Sequence, residues 1–288
     1  MNEAVARMMS RYKCRRLEDY VRALREILQE IALLGLWRSK FFEKGAFYGG
    51  TALRILYGLD RFSEDLDLSL LQPQPNFDLS RYSKALQTEM RSFGFEVTAV
   101  SKAEKTSRAV QSVFLKANTL QQLLAIEAGK EIVRGLPKGQ VLKIKIEVDT
   151  DPPTGFTTEV KYLLHPIPFS VRSYVLPDLF AGKMHAILCR RWKSRIKGRD
   201  WYDFVWFVSN YPELNLSHLE KRMIQTGDWK QNEPLTGELF NGRLRQMIEA
   251  VDLKGARTEV EPFVGNPDAL AVWSKEFFLD VSLRIKLV

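Results

Sequence analysis

Apolar side chains recur at Leu17, Tyr20, Val21, Leu24, Ile27, Leu28 and Ile31. That is the three-and-four spacing of one helix face, and it predicts a helix over 17–38. A short apolar piece at 45–48 predicts a strand, and Gly49-Gly50 after it predicts a turn opening into a helix near Thr51. Residues 65–71 alternate as a strand does, and 72–76 (QPQPN) form a loop. Helical spacing at 80–93 is followed by strand patterns at 95–100 and 109–116, then by a weakly periodic helix at about 120–134. The clearest strand is 141–149 (VLKIKIEVD), which DPPTG breaks. Short strands near 159–164 and 169–175 come next. From Leu176 the pattern is helical, over about 176–191, 200–209, 214–225, 236–251 and 267–284. The expected class is α+β: a mixed-sheet half over 1–175, then a helical half over 176–288 that packs on it and completes a site.

Composition narrows the function classes. With 45% apolar and 11% aromatic residues, the 288-residue chain can bury a large core. No apolar run reaches the roughly 20 residues of a membrane helix, so no membrane association is expected. The first residues lack the apolar core of a signal peptide, and the expected location is the cytoplasm. Cys14 and Cys189 make neither a disulfide framework nor a metal cluster. His165, His185 and His218 lack ligand-like spacing, so no zinc site is expected. The net charge of +8 fits a polyanionic partner or an anionic substrate. Much of it gathers at Lys183, Arg190, Arg191, Lys193, Arg195, Lys197 and Arg199, a run without one acid.

Candidate chemistry begins with Ser63-Glu64-Asp65-Leu66-Asp67. On a strand, Asp65, Asp67 and Ser69 share one face and Leu66, Leu68 and Leu70 the other. Two neighbouring carboxylates repel unless a cation or solvent relieves them, and hard divalent ions favour such oxygen donors. Within Lys143-Ile144-Lys145-Ile146-Glu147-Val148-Asp149 the charged residues again share a face. Either Glu147 or Asp149 can supply a third carboxylate, although a sheet with one solvated face explains the same pattern. Gly49-Gly50-Thr51 matches neither a dinucleotide fingerprint nor a P-loop. A glycine turn at a helix start can still receive phosphate on its free N–H groups; the plainer reading is a tight turn capped by Thr51. Lys183 falls inside an apolar helical stripe, where a lysine must snorkel, pair with an acid or reach into a pocket. Asp200 and Asp203 share a helix face and can pair with Lys183, with Arg199 or with an incoming base.

The blocks GGTALR, RFSEDLDL, KIEVD, LFAGKMHAIL-x-R and KGRDWYD occur in that order between Phe47 and Phe207. The chain thereby resembles the AbiEii-type nucleotidyltransferase toxins, within the DNA polymerase β-like nucleotidyltransferase superfamily. The resemblance implies metal-dependent transfer of a nucleotide from an NTP to an acceptor. It also implies the toxin role in a type IV toxin–antitoxin or abortive-infection system with a cognate antitoxin. Several members modify tRNA acceptor ends, so an RNA acceptor, tRNA above all, is the expected partner. It assigns Gly50 and Thr51, with Gly49, to the phosphate-cradling turn. Asp65 and Asp67 become the Mg²⁺-binding pair, with Ser63 just upstream. Glu147 becomes the third acid, with Asp149 as the alternative. Lys183 takes the place of the lysine near the triphosphate, and Asp200 and Asp203 form the final motif. The basic run ending at Arg199 would guide the RNA. Transfer to a small molecule or protein is the alternative within this class; a non-catalytic nucleic-acid-binding module is the alternative outside it.

Overall fold

The structure, a computed structural model, describes residues 2–101, 109–117, 141–189 and 197–288. The helix expected at about 120–134 lies outside the described residues. The chain divides into two compact units. The first is Met1–Leu56, Ser63–Pro152 and Val160–Ser173; the second is Tyr57–Phe62, Pro153–Glu159 and Tyr174–Val288.

The first unit is built on a seven-stranded mixed sheet. Its strands are β1 (Gly45–Tyr48), β2 (Asp65–Leu70), β3 (Val97–Ser101), β4 (Val110–Ala117), β5 (Leu142–Asp149), β6 (Thr158–Leu163) and β7 (Phe169–Tyr174). Their order is β3-β4-β5-β2-β1-β7-β6. β2 lies centrally, antiparallel to β1 and parallel to β5, while β4 runs antiparallel to both β3 and β5. Leu66, Leu68 and Leu70 of β2 are buried, as are Leu142, Ile144, Ile146 and Val148 of β5. This period of two turns the intervening acids to the other face.

Helices cover the apolar face. They are α1 (Glu3–Met9), α2 (Leu17–Arg38), α3 (Gly49–Tyr57) and α4 (Ser83–Ser92), with α2 packing on α4 and β5. The Asp19 carboxylate accepts the N–H groups of Arg15 and Arg16 at 3.1 and 2.9 Å, closing the start of α2. At its far end the Ser39 hydroxyl donates to the Gly35 carbonyl at 2.8 Å. The helix expected at 80–93 splits into a 3-10 turn, Leu79–Tyr82, and α4. The Asp78 carboxylate caps that turn through Ser80 N–H at 2.9 Å.

The second unit is mostly helical: α5 (Leu176–Cys189), α6 (Gly198–Asn210), α7 (Leu216–Gln225), α8 (Gly237–Ala250), α9 (Leu253–Val260) and α10 (Lys275–Ser282). Two short strands, β8 (Glu213–Leu214) and β9 (Lys286–Leu287), pair in parallel. Its core is aromatic, with Phe180 stacked on Phe207 at 4.5 Å and Trp201 edge-on to Phe278 at 5.0 Å. One long helix over 267–284 is not formed. Pro267–Leu270 makes a 3-10 turn, and the Ser274 hydroxyl accepts Phe277 N–H at 3.1 Å to start α10 afresh. The side-chain cap outweighs the apolar spacing there. Helix α9, which the apolar pattern does not predict, starts on a similar device: Asp252 accepts Gly255 N–H at 3.0 Å. Among the described residues no helix is long and apolar enough to cross a membrane.

His218 of α7 is buried beside the rings of Phe156 and Tyr174, at 6.0 and 6.1 Å. Burial, with Arg222 nearby, pushes its pKa from 6.5 down to about 4. The imidazole therefore stays neutral in the folded protein while the unfolded chain takes up a proton. Stability from this residue is present above pH 6.5 and is lost as pH falls towards 4. Urea midpoints measured between pH 7 and pH 5 should fall less steeply for His218→Phe than for the wild type; equal slopes would place the acid sensitivity elsewhere.

Candidate active site

The acids of β2 and β5 fall on neighbouring positions of one face because the two strands run parallel in one register. Asp65 lies opposite Lys145, Asp67 opposite Glu147, and Ser69 opposite Asp149. Glu147 is thus the carboxylate directly beside Asp67, and Asp149 stands one step further along. Asp149 also accepts the N–H of Asp151 at 3.0 Å as the chain turns away. From the other side Ser112 of β4 lies opposite Glu147, with its hydroxyl 3.3 Å from the Glu147 carboxylate. Lys145 reaches the same carboxylate at 2.7 Å. Burial works against the Lys145 charge. The hydrogen bond and charge of Glu147, followed by Asp65 and Asp67, outweigh it and raise the ammonium pKa.

The glycine turn is built against this cluster. Gly49 has φ +81°, in the left-handed region. A Cβ there would also lie 3.0 Å from the Asp67 Cβ, so backbone shape and close approach both demand glycine. Gly50 is buried. Thr51 is fully buried, and its hydroxyl donates to the carbonyl of Asp65 rather than capping α3. It fixes the first residue of β2 from behind. Gln29 of α2, 1% exposed, donates to the carbonyls of Ser63 and Glu64 at 3.2 and 2.9 Å. Arg25 pairs with Glu64 at 2.9 Å. The segment ahead of the two aspartates is therefore pinned at Ser63, Glu64 and Asp65.

Lys183, Asp200 and Asp203 come together within the second unit. The Lys183 Nζ lies 2.6 Å from Asp203 and 3.4 Å from Asp200. Asp203 also takes a two-pronged bond from Arg61, at 2.5 and 2.6 Å. Burial raises the Asp203 pKa, but Arg61 and then Lys183 outweigh it and hold the carboxyl below its ordinary range. Lys183 thus takes the acid-pairing option open to a lysine in an apolar stripe. An ammonium held by two carboxylates can exchange one of them for a phosphate. Arg199 is committed differently: it bonds Glu259 at 3.2 Å and lies 4.0 Å over the Phe263 ring. Residues 190–196 of the basic run lie outside the described residues.

The model of one protein family matches residues 31–280: nucleotidyl transferase AbiEii toxin, type IV TA system. This chain belongs to that family. It is a nucleotidyltransferase, and its kind acts as the toxin beside an antitoxin, with a nucleotide substrate and a divalent metal. Among solved structures, JHP933 from Helicobacter pylori resembles it at a TM-score of 0.50 and 16% identity, over 91% of this chain and 89% of that one. A second structure, from H. pylori, described provisionally as a nucleotidyltransferase, gives 0.45 and 17%, over 89% of each chain. At such identities JHP933 speaks for the fold alone. None of the curated proteins compared matches the chain.

Three residues to which no motif gave a role also converge in this AbiEii chain. His185 and Cys189 of α5 and Asp228 after α7 offer ligand atoms within 4.8 Å of one another. The expectation of no ligand-like spacing missed this grouping, because Asp228 arrives from another element. A hydroxyl already links two of them: Thr226 bonds His185 at 3.0 Å and Asp228 at 2.8 Å.

Sequence reasoning also passed over Lys145, Gln29 and Arg61. Lys145 was within reach, being two residues before Glu147 on the same face. Gln29 interrupts the buried stretch of α2, a polar residue in need of a partner. Arg61 leaves no local mark, since its partner is 142 residues away.

Two outcomes follow for the AbiEii chain. Gly49→Ala should lower activity more than stability, because the new methyl displaces Asp67; unchanged activity with a normal melting temperature would contradict the close approach. Asp203→Ala should destabilise by about 3–5 kcal/mol in denaturant titration, since it takes the two-pronged partner from the buried Arg61 and leaves Lys183 only Asp200. A loss below about 1 kcal/mol would mean that Arg61 and Lys183 find other partners.

Proposed function

We propose that this protein is a Mg²⁺-dependent nucleotidyltransferase toxin that moves a nucleotide from an NTP onto an RNA hydroxyl, with tRNA as the acceptor, in the cytoplasm. The observation that carries the reading is the set of three carboxylates, Asp65, Asp67 and Glu147, on one face of two adjacent strands. The set fits a hard divalent cation: its donors are all oxygen, and it already draws the Lys145 ammonium onto Glu147. Asp65, Asp67 and Glu147 would hold the ion. Bound there, it would neutralise the triphosphate and the departing pyrophosphate. Asp149, one register step away and engaged in its own turn, is the weaker candidate for third ligand.

The residues around the ligands orient them. Thr51 and Gln29 fix the backbone from Ser63 to Asp65, and Arg25 holds the Glu64 side chain, which steadies the strand that carries the two aspartates. Gly49 lets the start of α3 lie close to Asp67, where N–H groups of the helix's first turn can receive phosphate. In the transfer the acceptor oxygen bonds the α-phosphorus, the bond to pyrophosphate breaks, and Glu147 accepts the hydroxyl proton. The family motif gives Lys183 the place of the lysine near the triphosphate. The net charge of +8 supports a polyanionic acceptor over a basic small molecule.

The test is incubation with Mg²⁺, each labelled NTP in turn and total tRNA. Label should enter RNA with the wild type, and Asp65→Ala should lower incorporation by roughly 100-fold or more. Full activity in Asp65→Ala would sink the mechanism. Label entering protein or a small molecule instead would overturn the choice of acceptor.

A further inference from the structure

Lys145 is out of place on a metal-binding face. It stands opposite Asp65 across the β2–β5 pairing, and its own strand carries Glu147 two residues on. Its ammonium is 2.7 Å from the Glu147 carboxylate, with both side chains about two-thirds buried or more, at 32% and 26% exposure. Phe114 of β4 lies opposite Lys145, with its ring centre 6.0 Å from the ammonium. Lys143, one step earlier on the same face, is exposed and has no such setting. The attractions on Lys145 come from the three acids assigned to the metal: Glu147 first, then Asp65 and Asp67.

Three carboxylates on neighbouring positions repel one another when no cation is bound. A strand residue of the opposite sign within the cluster relieves this, and a divalent ion would have to compete with it.

We propose that Lys145 is the resident counter-ion of the Asp65, Asp67 and Glu147 cluster, holding Glu147 until a divalent cation displaces it. The inference rests on the reading of that cluster as the metal site. Lys145 then has two effects. It keeps the cluster stable when no metal is bound, and it weakens metal binding, so that loading favours a cation arriving with its triphosphate. Displacement breaks only an ion pair; the lysine keeps its proton and swings on a four-carbon stem.

The test is Mn²⁺ binding without nucleotide, followed by the electron paramagnetic resonance of free Mn²⁺. Wild type is compared with Lys145→Met, Lys145→Gln, Lys145→Arg and Asp65→Ala, and melting temperatures are taken with and without Mn²⁺. The expected result is Mn²⁺ affinity at least tenfold tighter in Lys145→Met and Lys145→Gln, with Lys145→Arg near wild type. Lys145→Met should also melt lower than wild type without Mn²⁺ and recover with it. Unchanged or weaker affinity in both neutral variants, while Asp65→Ala abolishes binding, would overturn the counter-ion role and leave the metal site standing. Equal Mn²⁺ binding in wild type and Asp65→Ala would overturn both. Tighter binding in both neutral variants, with Lys145→Arg near wild type, assigns the effect to the charge at this position rather than to packing.

Discussion

The candidate chemistry of the first unit depends on the parallel pairing of β2 with β5. That pairing puts Asp67 beside Glu147, and a slip of one residue would send every acid into the core and every leucine out of it. The register is held in two ways. On the core side, Leu66, Leu68 and Leu70 pack with Ile144, Ile146 and Val148, all buried. At the start of β2, backbone carbonyls are taken by Thr51 and Gln29, one from α3 and one from α2. Apolar burial chooses the face, and the polar bonds set the position along the strand. Neither could do the other's part, because hydrophobic contact is non-directional and a buried carbonyl must find its donor.

In the second unit the organising group is Asp203, fully buried between Arg61 and Lys183. Such a network stabilises little for its cost in desolvation, yet it is severe when broken. Its effect is to tie three separate pieces together: the 57–62 segment through Arg61, α5 through Lys183 and α6 through Asp203. Gly198 makes the start of α6 possible, since any Cβ there would strike the carbonyl of Ala256 on α9. The glycine and the second aspartate of the KGRDWYD block therefore have architectural duties whatever else they do.

Much of this was legible in the chain because it is periodic. The three-and-four spacing of α2 runs from Leu17 to Ile31, and β5 alternates without a fault. The two aspartates fell on one face for the same reason, and the family blocks named the enzyme class. What stayed hidden is non-local or depends on capping. The choice of Glu147 as the neighbour of Asp67 follows from register, which alternation alone leaves open. Arg61 is bound to a partner far along the sequence. The break before α10 rests on one serine hydroxyl, and α9 starts on one aspartate. Lys145 was visible on the charged face of its strand but was given no role there; its 2.7 Å approach to Glu147 supplies one.

The most direct test of the central claim is an anomalous-difference map from crystals grown with Mn²⁺ and a non-reacting NTP analogue. The account predicts a peak bonded to Asp65, Asp67 and Glu147 at metal–oxygen distances of about 2.1 Å. A peak that omits Glu147 for Asp149, or one held instead by His185, Cys189 and Asp228, would contradict it.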